Sequence, residues 1–173
     1  PYEDNIIRLS ARIGAGTLAL PLGDAPGMEI YMPNMLTLSG LGQHSVDELR
    51  SVTAGRSVGV GRGFGDDVMT LSGATTPDDL QLQLQLMAAY ATDPGFRPEA
   101  QAQYDKYIRS WYPTLDSTPG GVGSRDIPRI LRSGDPRFGL PSEAAMLDVD
   151  FDRIRTWMSD YVDGQAIEIT AVG

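Results

Sequence analysis

The chain has 173 residues, 41% of them hydrophobic and 21% charged, values of one globular domain with a single core rather than of a disordered segment. A formal net charge of −9, with no cluster of five or more basic residues, argues against nucleic acid and anionic membrane as partners. Without cysteine there are no disulfides, iron–sulfur clusters or thiol nucleophiles, and no apolar run approaches the ~20 residues needed to cross a bilayer.

The first residue is not methionine, and Pro1-Tyr2-Glu3-Asp4 opens in mid-pattern, so the chain is expected to be a piece of a longer protein. Asn5 to Ile13 alternates Ile7, Leu9, Ala11 and Ile13 with Arg8, Ser10 and Arg12, the period of a half-buried strand. Gly14, Gly16, Pro21, Gly23 and Pro26 break that pattern, and a helix is expected over much of 25–38. Pro33 inside it costs ~3 kcal/mol, which predicts a bend or a late start. Ser45-Val46-Asp47-Glu48 is a capping box opening a short helix to about Thr53.

Ser57–Val60 and Asp67–Leu71 read as a β-hairpin across the turn Gly61–Asp66. Thr76-Pro77-Asp78-Asp79 is a helix start, with proline at the first helical position and acids in the first turn. The following Leu80-Gln81-Leu82-Gln83-Leu84-Gln85-Leu86 alternates like a strand, but the start signal and the helix formers continuing to Ala91 decide for a helix. Its leucines occupy several helical faces, which predicts a largely enclosed helix. Asp93-Pro94-Gly95 ends it. Arg97-Pro98-Glu99 opens a second long helix to about Trp111, with Ala100, Tyr104, Ile108 and Trp111 on one stripe.

Pro113–Gly123 reads as a loop, followed by short helices at 125–133 and 142–147. A helix at 151–162 carries Phe151, Ile154, Trp157, Met158 and Tyr161, and Gln165–Val172 closes the chain as a strand. Strands at both ends and in the middle, with helices between them, imply an α+β fold with one mostly antiparallel sheet packed by helices.

Few residues suggest chemistry. His44 is the only histidine, and beside Ser45 it superficially suggests a nucleophile and base; neighbouring residues rarely aim at each other, and an exposed loop histidine is the better reading. The run Gly59-Val60-Gly61-Arg62-Gly63-Phe64-Gly65 fits no nucleotide-binding fingerprint and reads as a flexible hairpin tip. Asp148-Val149-Asp150-Phe151-Asp152 begins like a calcium loop, but Arg153 replaces the required glycine and Ser159 the bidentate glutamate, so these acids read as caps of the next helix. Asp66 and Asp67 read as turn residues.

Residues 27–39, Gly27-Met28-Glu29-Ile30-Tyr31-Met32-Pro33-Asn34-Met35-Leu36-Thr37-Leu38-Ser39, resemble the active-site helix of the pitrilysin/insulinase-like zinc metallopeptidases, which runs roughly G-L-x-H-x-x-E-H-M-L-F-x-G. Gly27, Met35 and Leu36 fall on that family's glycine and Met-Leu positions. Its two histidine positions hold Ile30 and Asn34, and its glutamate position holds Pro33. Isoleucine has no lone pair for a metal, asparagine is a poor zinc ligand, and proline cannot activate water. The family's third ligand, a glutamate roughly seventy to eighty residues later, would fall in Tyr104–Thr114, where the only acid is Asp105.

The resemblance continues through Gln43–Leu49, Leu71–Leu80, the joint Thr92–Glu99 and the closing Ala166–Gly173, in the family's order and spacing. Gly14–Pro21 is similar to the second half of bacterial cell-envelope members. The resemblance therefore implies a single pitrilysin-like domain over 1–173, opening the C-terminal half of a longer peptidase and lacking its first strand or two. It implies no catalytic, cofactor or metal residue here, zinc in the parent's N-terminal half, and a role in walling the chamber around a peptide substrate. The expected partners are the other domains of the same peptidase, and the expected compartment is the periplasm or cell envelope. Two alternatives stay open: a freestanding inactive homologue acting as an interaction subunit, or a hydrolase using Asp66, Asp67 or Asp105.

Overall fold

The structure, a computed structural model, describes residues 5–14, 16–19 and 28–173. Strand β1 (Ile7–Ile13) turns Leu9, Ala11 and Ile13 to the core and Arg8 and Arg12 to solvent, as its alternation requires. It pairs antiparallel with β3 (Met69–Thr75), placing Ala11 opposite Leu71 and Ile13 opposite Met69. With β2 (Gly61–Phe64) beside β3 and β4 (Ile167–Val172) beside β1, the order is β2-β3-β1-β4, every pair antiparallel.

The described residues also form seven α-helices: α1 (Met28–Ser39), α2 (Val46–Val52), α3 (Leu80–Thr92), α4 (Pro98–Trp111), α5 (Pro119–Leu131), α6 (Glu143–Leu147) and α7 (Phe151–Gly164), besides three short 3-10 turns. The core joins the inward sheet residues to Met32 and Met35 of α1, Met87 of α3, Tyr104 and Ile108 of α4, Met146 of α6 and Ile154 and Met158 of α7. From α7, the Tyr161 hydroxyl donates to the Ile13 carbonyl (2.9 Å) and accepts from the Gly16 amide (2.8 Å), tying that helix to the end of β1. The expected α+β class and the expected antiparallel sheet are both present.

Three sequence expectations need correction. The hairpin lies further along the chain. Its strand is Gly61–Phe64, read above as the turn, and the reversal is closed by the Gly65 amide on the Val68 carbonyl at 2.8 Å. Phe64 anchors it, packing edge-on against Trp157 with ring centroids 5.6 Å apart. Gly59 is no flexible tip either, because the buried Gln83 amide both donates to and accepts from its backbone, each bond 2.9 Å. The Gln83 side chain thus pairs like a strand residue, and a Cβ at Gly73 would collide with it.

Secondly, α3 is not enclosed. It buries the stripe Gln83, Met87 and Tyr90, and leaves Leu84 exposed. Thirdly, most of the expected loop at 113–123 is helical. The Thr118 hydroxyl caps α5 by accepting from the Gly121 amide, with Pro119 at the first position. Gly120, Gly121 and Gly123, within its first five residues, obscure the start in the sequence. The capping box is present as read, with Ser45 and Glu48 bonded reciprocally. Pro33 lies inside α1, where it removes a single backbone donor. The early part of the expected helix, 25–27, lies outside the described residues, as do Pro21, Gly23, Pro26 and Gly27.

The end of α1 is bound to the joint before α4. Gly40 turns out of the helix with φ +66°, and the Gly95 amide bonds to its carbonyl at 3.0 Å. Arg97 then donates Nη1 to the carbonyls of Ser39 (2.7 Å) and Leu41 (2.6 Å) and Nη2 to that of Gly42 (3.3 Å). Truncating Arg97 strands those acceptors, two of them on buried residues, so R97M is expected to lose about 2–3 kcal/mol. Lysine has no planar fork, so R97K should recover little. Urea midpoints at constant slope measure both.

Candidate functional site

Helix α1 presents two faces. Tyr31, Met32, Met35, Leu36 and Ser39 are buried, whereas Ile30, Pro33 and Asn34 are half-buried and Thr37 is exposed. The three positions singled out by the sequence therefore lie together on one stripe that solvent reaches, Ile30 one turn before Asn34. The Asn34 side chain is already engaged, its Nδ2 donating to the Ile30 carbonyl at 2.8 Å. One turn on, the Thr37 hydroxyl donates to the Pro33 carbonyl and accepts from Arg62 Nη1 at 3.0 Å. Arg62 stacks over the Tyr90 ring at 3.8 Å, and burial holds its guanidinium below the usual arginine range.

That stripe does not fit zinc. Its donor set is an alkyl group, an imide-ring residue and a carboxamide turned onto its own helix, and a fixed positive charge bonds the next turn. Asp105, the only acid where a third ligand would be sought, accepts from Gln101 Nε2 at 2.8 Å. Among the described residues, no three His, Asp or Glu side chains converge so as to hold a metal ion.

The remaining candidates are dispersed. His44 is exposed, and its backbone exchanges hydrogen bonds with Leu41. The Glu48 carboxylate accepts from the Ser45 amide (2.7 Å) and from the Ser45 hydroxyl (2.9 Å), bonds that hold it below its usual range. Asp66 pairs with Arg132 across the hairpin turn. Asp150 caps α7 by accepting from the Arg153 amide (2.9 Å), while Asp152 meets Arg155 and Asp148 meets Arg153. The structure thus brings together Ile30, Pro33 and Asn34, and does not gather Asp66 with Asp105 on any shared partner.

Sequence reading missed the polar group behind the stripe. Tyr31 is fully buried, edge-on to Tyr104 at 4.6 Å, with its hydroxyl donating to Gln101 Oε1. Its position inside a helix of apolar neighbours gave no hint of that partner. Gln101 in turn reaches Asp105 and the Val149 carbonyl, so one amide links α1, α4 and the segment before α7.

No family model and no curated protein matches the chain. Solved structures do. The chain matches the peptidase M16 inactive domain from Pseudomonas fluorescens at 18% identity and TM-score 0.79, covering 98% of this chain and 41% of that one. It matches a mutant of the ferredoxin protease FusC in complex with Arabidopsis ferredoxin at 17% identity and TM-score 0.77, over 98% of this chain and 18% of that one. It matches the periplasmic protease PqqL from Escherichia coli at 10% identity and TM-score 0.69, over 95% and 19%. The fold is therefore that of the pitrilysin-like M16 peptidase domains. The chain spans less than half the length of each of these solved chains.

Burial, the largest cause, raises the Tyr31 phenol above the ordinary tyrosine range, with Tyr104, Asp150 and Asp105 adding to the shift. The folded state therefore holds this proton where the unfolded chain, titrating near about pH 10, releases it. Stability is then complete below about pH 10 and is lost as pH rises further. Urea midpoints measured from pH 8 to pH 11 should fall at the alkaline end for the native chain. Y31F should fall less steeply, although it starts lower for want of the Gln101 bond.

Proposed function

We propose that this chain is a non-catalytic domain of a longer zinc-dependent peptidase, one wall of a chamber that a separate zinc-bearing domain completes. The observation that carries the reading is the α1 stripe: in a domain with a peptidase fold, the three motif positions hold side chains that cannot hold zinc. Support for the larger assembly comes from the neighbours, of each of which the matched region is a minority of the chain. FusC is a ferredoxin protease seen in complex with ferredoxin and PqqL is a periplasmic protease, which favours a peptide substrate and the cell envelope as the compartment.

The surface fits a docking role. Helix α5 buries none of its residues, and its apolar side chains Val122, Ile127, Ile130 and Leu131 all face solvent. Its arginines are engaged elsewhere: Arg129 donates to the Phe138 carbonyl and Arg125 pairs with Asp116 and Asp126, while Arg132, just past its end, stacks over the Phe138 ring. A helix with its apolar face outward is stable in water only at a cost that a companion domain would remove.

Purified alone and incubated with zinc, the 173-residue chain is expected to hold far less than one zinc per molecule by elemental analysis and to leave an unstructured peptide uncut. In the full parent protein, a chelator should abolish peptide cleavage without moving the melting transition of this domain. Stoichiometric zinc on the isolated chain would overturn the reading.

A further inference from the structure

One cavity departs in charge from the rest of this acidic chain. It lies between the end of α3, the joint before α4 and α7, has a volume of about 330 Å³, and is walled by Ala91, Pro94, Phe96, Met158 and Val162. Met158 is buried and belongs to the core, so the cavity reaches the hydrophobic interior. The exposed Arg155 also lines it, and two hydroxyl residues complete the lining. The chain carries 23 acids, yet none is among the described residues that line this cavity. Apolar walls with one positive charge are the lining of a small-ligand site, where the walls hold an apolar body and the polar group fixes its orientation.

The wall and the charge are both held in place by the fold. On either side of Phe96 the backbone is tied down, the Gly95 amide to the Gly40 carbonyl and Arg97 to the carbonyls of Ser39, Leu41 and Gly42. Phe96 itself has φ +44°, a conformation that bulky residues seldom take and that persists where the surroundings enforce it. Its ring packs on Phe151 at 5.6 Å and carries the Arg155 guanidinium at 5.1 Å. The ion partner of that guanidinium holds it weakly. Asp152 accepts from Arg155 Nη1 at 3.2 Å, but it lies one turn back on the same helix and is almost fully exposed, a pairing worth little in water. Among the described residues Arg155 has no other ion partner, which leaves the rest of its planar fork for an incoming carboxylate.

We infer that this cavity binds a small monocarboxylate with an apolar body, its carboxylate on the Arg155 guanidinium and its hydrocarbon against Phe96, Met158 and Val162. The volume is at the small end for ligand cavities, which suits a body the size of one or two apolar side chains rather than a long acyl chain or a nucleotide. An amine would meet the guanidinium as a like charge, and a neutral alcohol would gain no charge-assisted bond from it. Two sources carry this chemistry, a free acid and the C-terminal residue of a peptide, and the walls recognise what the two share. No residue of α1 is among the described lining, so occupancy of the cavity is independent of the proposed peptidase role.

Methyl resonances of the methionine-labelled 173-residue chain follow the site, because Met158 lines it and Met32 of α1 does not. Hexanoate is expected to shift the Met158 methyl saturably with Kd on the order of 1 mM, and hexanol to bind about tenfold more weakly. R155Q should weaken hexanoate about tenfold, whereas R153Q, which removes a neighbouring charge outside the cavity lining, should leave its affinity unchanged. Both arginines are exposed, so both variants should keep the native fold. A tripeptide ending in leucine separates the two sources. If its free acid binds more tightly than hexanoate and its C-terminal amide fails to bind, the ligand is a peptide end; if hexanoate binds and neither peptide form does, it is a free acid. Hexanol binding as tightly as hexanoate, a Met158 shift that does not saturate, or an R155Q chain that binds hexanoate as the native chain does would overturn the inference.

Discussion

Arg97 stands where the chain leaving α1 passes the chain entering α4, and its guanidinium ties three carbonyls, those of Ser39, Leu41 and Gly42, to one side chain. Carbonyls at a helix end need donors, and here a residue more than fifty positions away provides them. The same joint supplies the Gly95 amide to Gly40, the Asp93 carbonyl to the Gly42 amide and the bridge between Leu41 and Pro94. Phe96 sits there at φ +44°, a conformation rare outside glycine, and packs on Phe151 at 5.6 Å. With both ends of this joint fixed, α1 and α4 lie against each other so that Tyr31 meets Tyr104 edge-on and reaches Gln101. The half-exposed stripe of α1 is aimed by that packing.

The division of α1 into two faces explains how such a helix persists without a metal. Its folding information lies on the buried side, where Tyr31, Met32, Met35 and Leu36 fill the core. Of the half-buried stripe, Ile30 packs against the core from its margin, while the Asn34 side chain turns back onto its own helix. Proline is the least expected of the three, yet at the second turn it forfeits one backbone donor, and the hydroxyl of Thr37 adds a bond to its carbonyl. A metal site on a solvent-reached stripe can be lost while the architecture stays, because geometry and chemistry are carried by different residues.

Much of this was legible in the sequence wherever a local signal and the tertiary packing agreed. The alternation at Ile7–Ile13, the Ser45 capping box and the stripe Ala100, Tyr104, Ile108 each named an element that the structure contains. The misreadings arose where a side chain distant in sequence decided the outcome. Gly61 and Gly63 look like turn residues, but Phe64 packing on Trp157 and the ladder to β3 make that segment a strand. Gln83 looks like the polar side of an alternating segment, but it is buried because the Gly59 backbone needs its amide. On α5 the glycines after Pro119 disguise a helix whose cap is a threonine. The stripe of α1 was visible through the resemblance of 27–39 to the family's active-site helix, whereas the Tyr31–Gln101–Asp105 connection behind it could not be, since it spans seventy residues.

The two surfaces left apolar, the exposed Ile167 and Ile169 of β4 and the outer face of α5, carry the argument from fold to assembly. Isolated exposed hydrophobics are ordinary on any protein. Here they are ordered: two isoleucines in sheet register on one, and four side chains along a single helix on the other. The protein elsewhere is strongly acidic, with β4's only acid turned to the opposite face and the arginines near α5 matched by Asp66, Asp116, Asp126 and Asp135. Local neutrality beside an apolar face suits contact with another protein surface and offers nothing to a polyelectrolyte or a charged ligand. This distribution of apolar area, away from the α1 stripe, is consistent with the proposed chamber wall, which would seal against neighbouring domains.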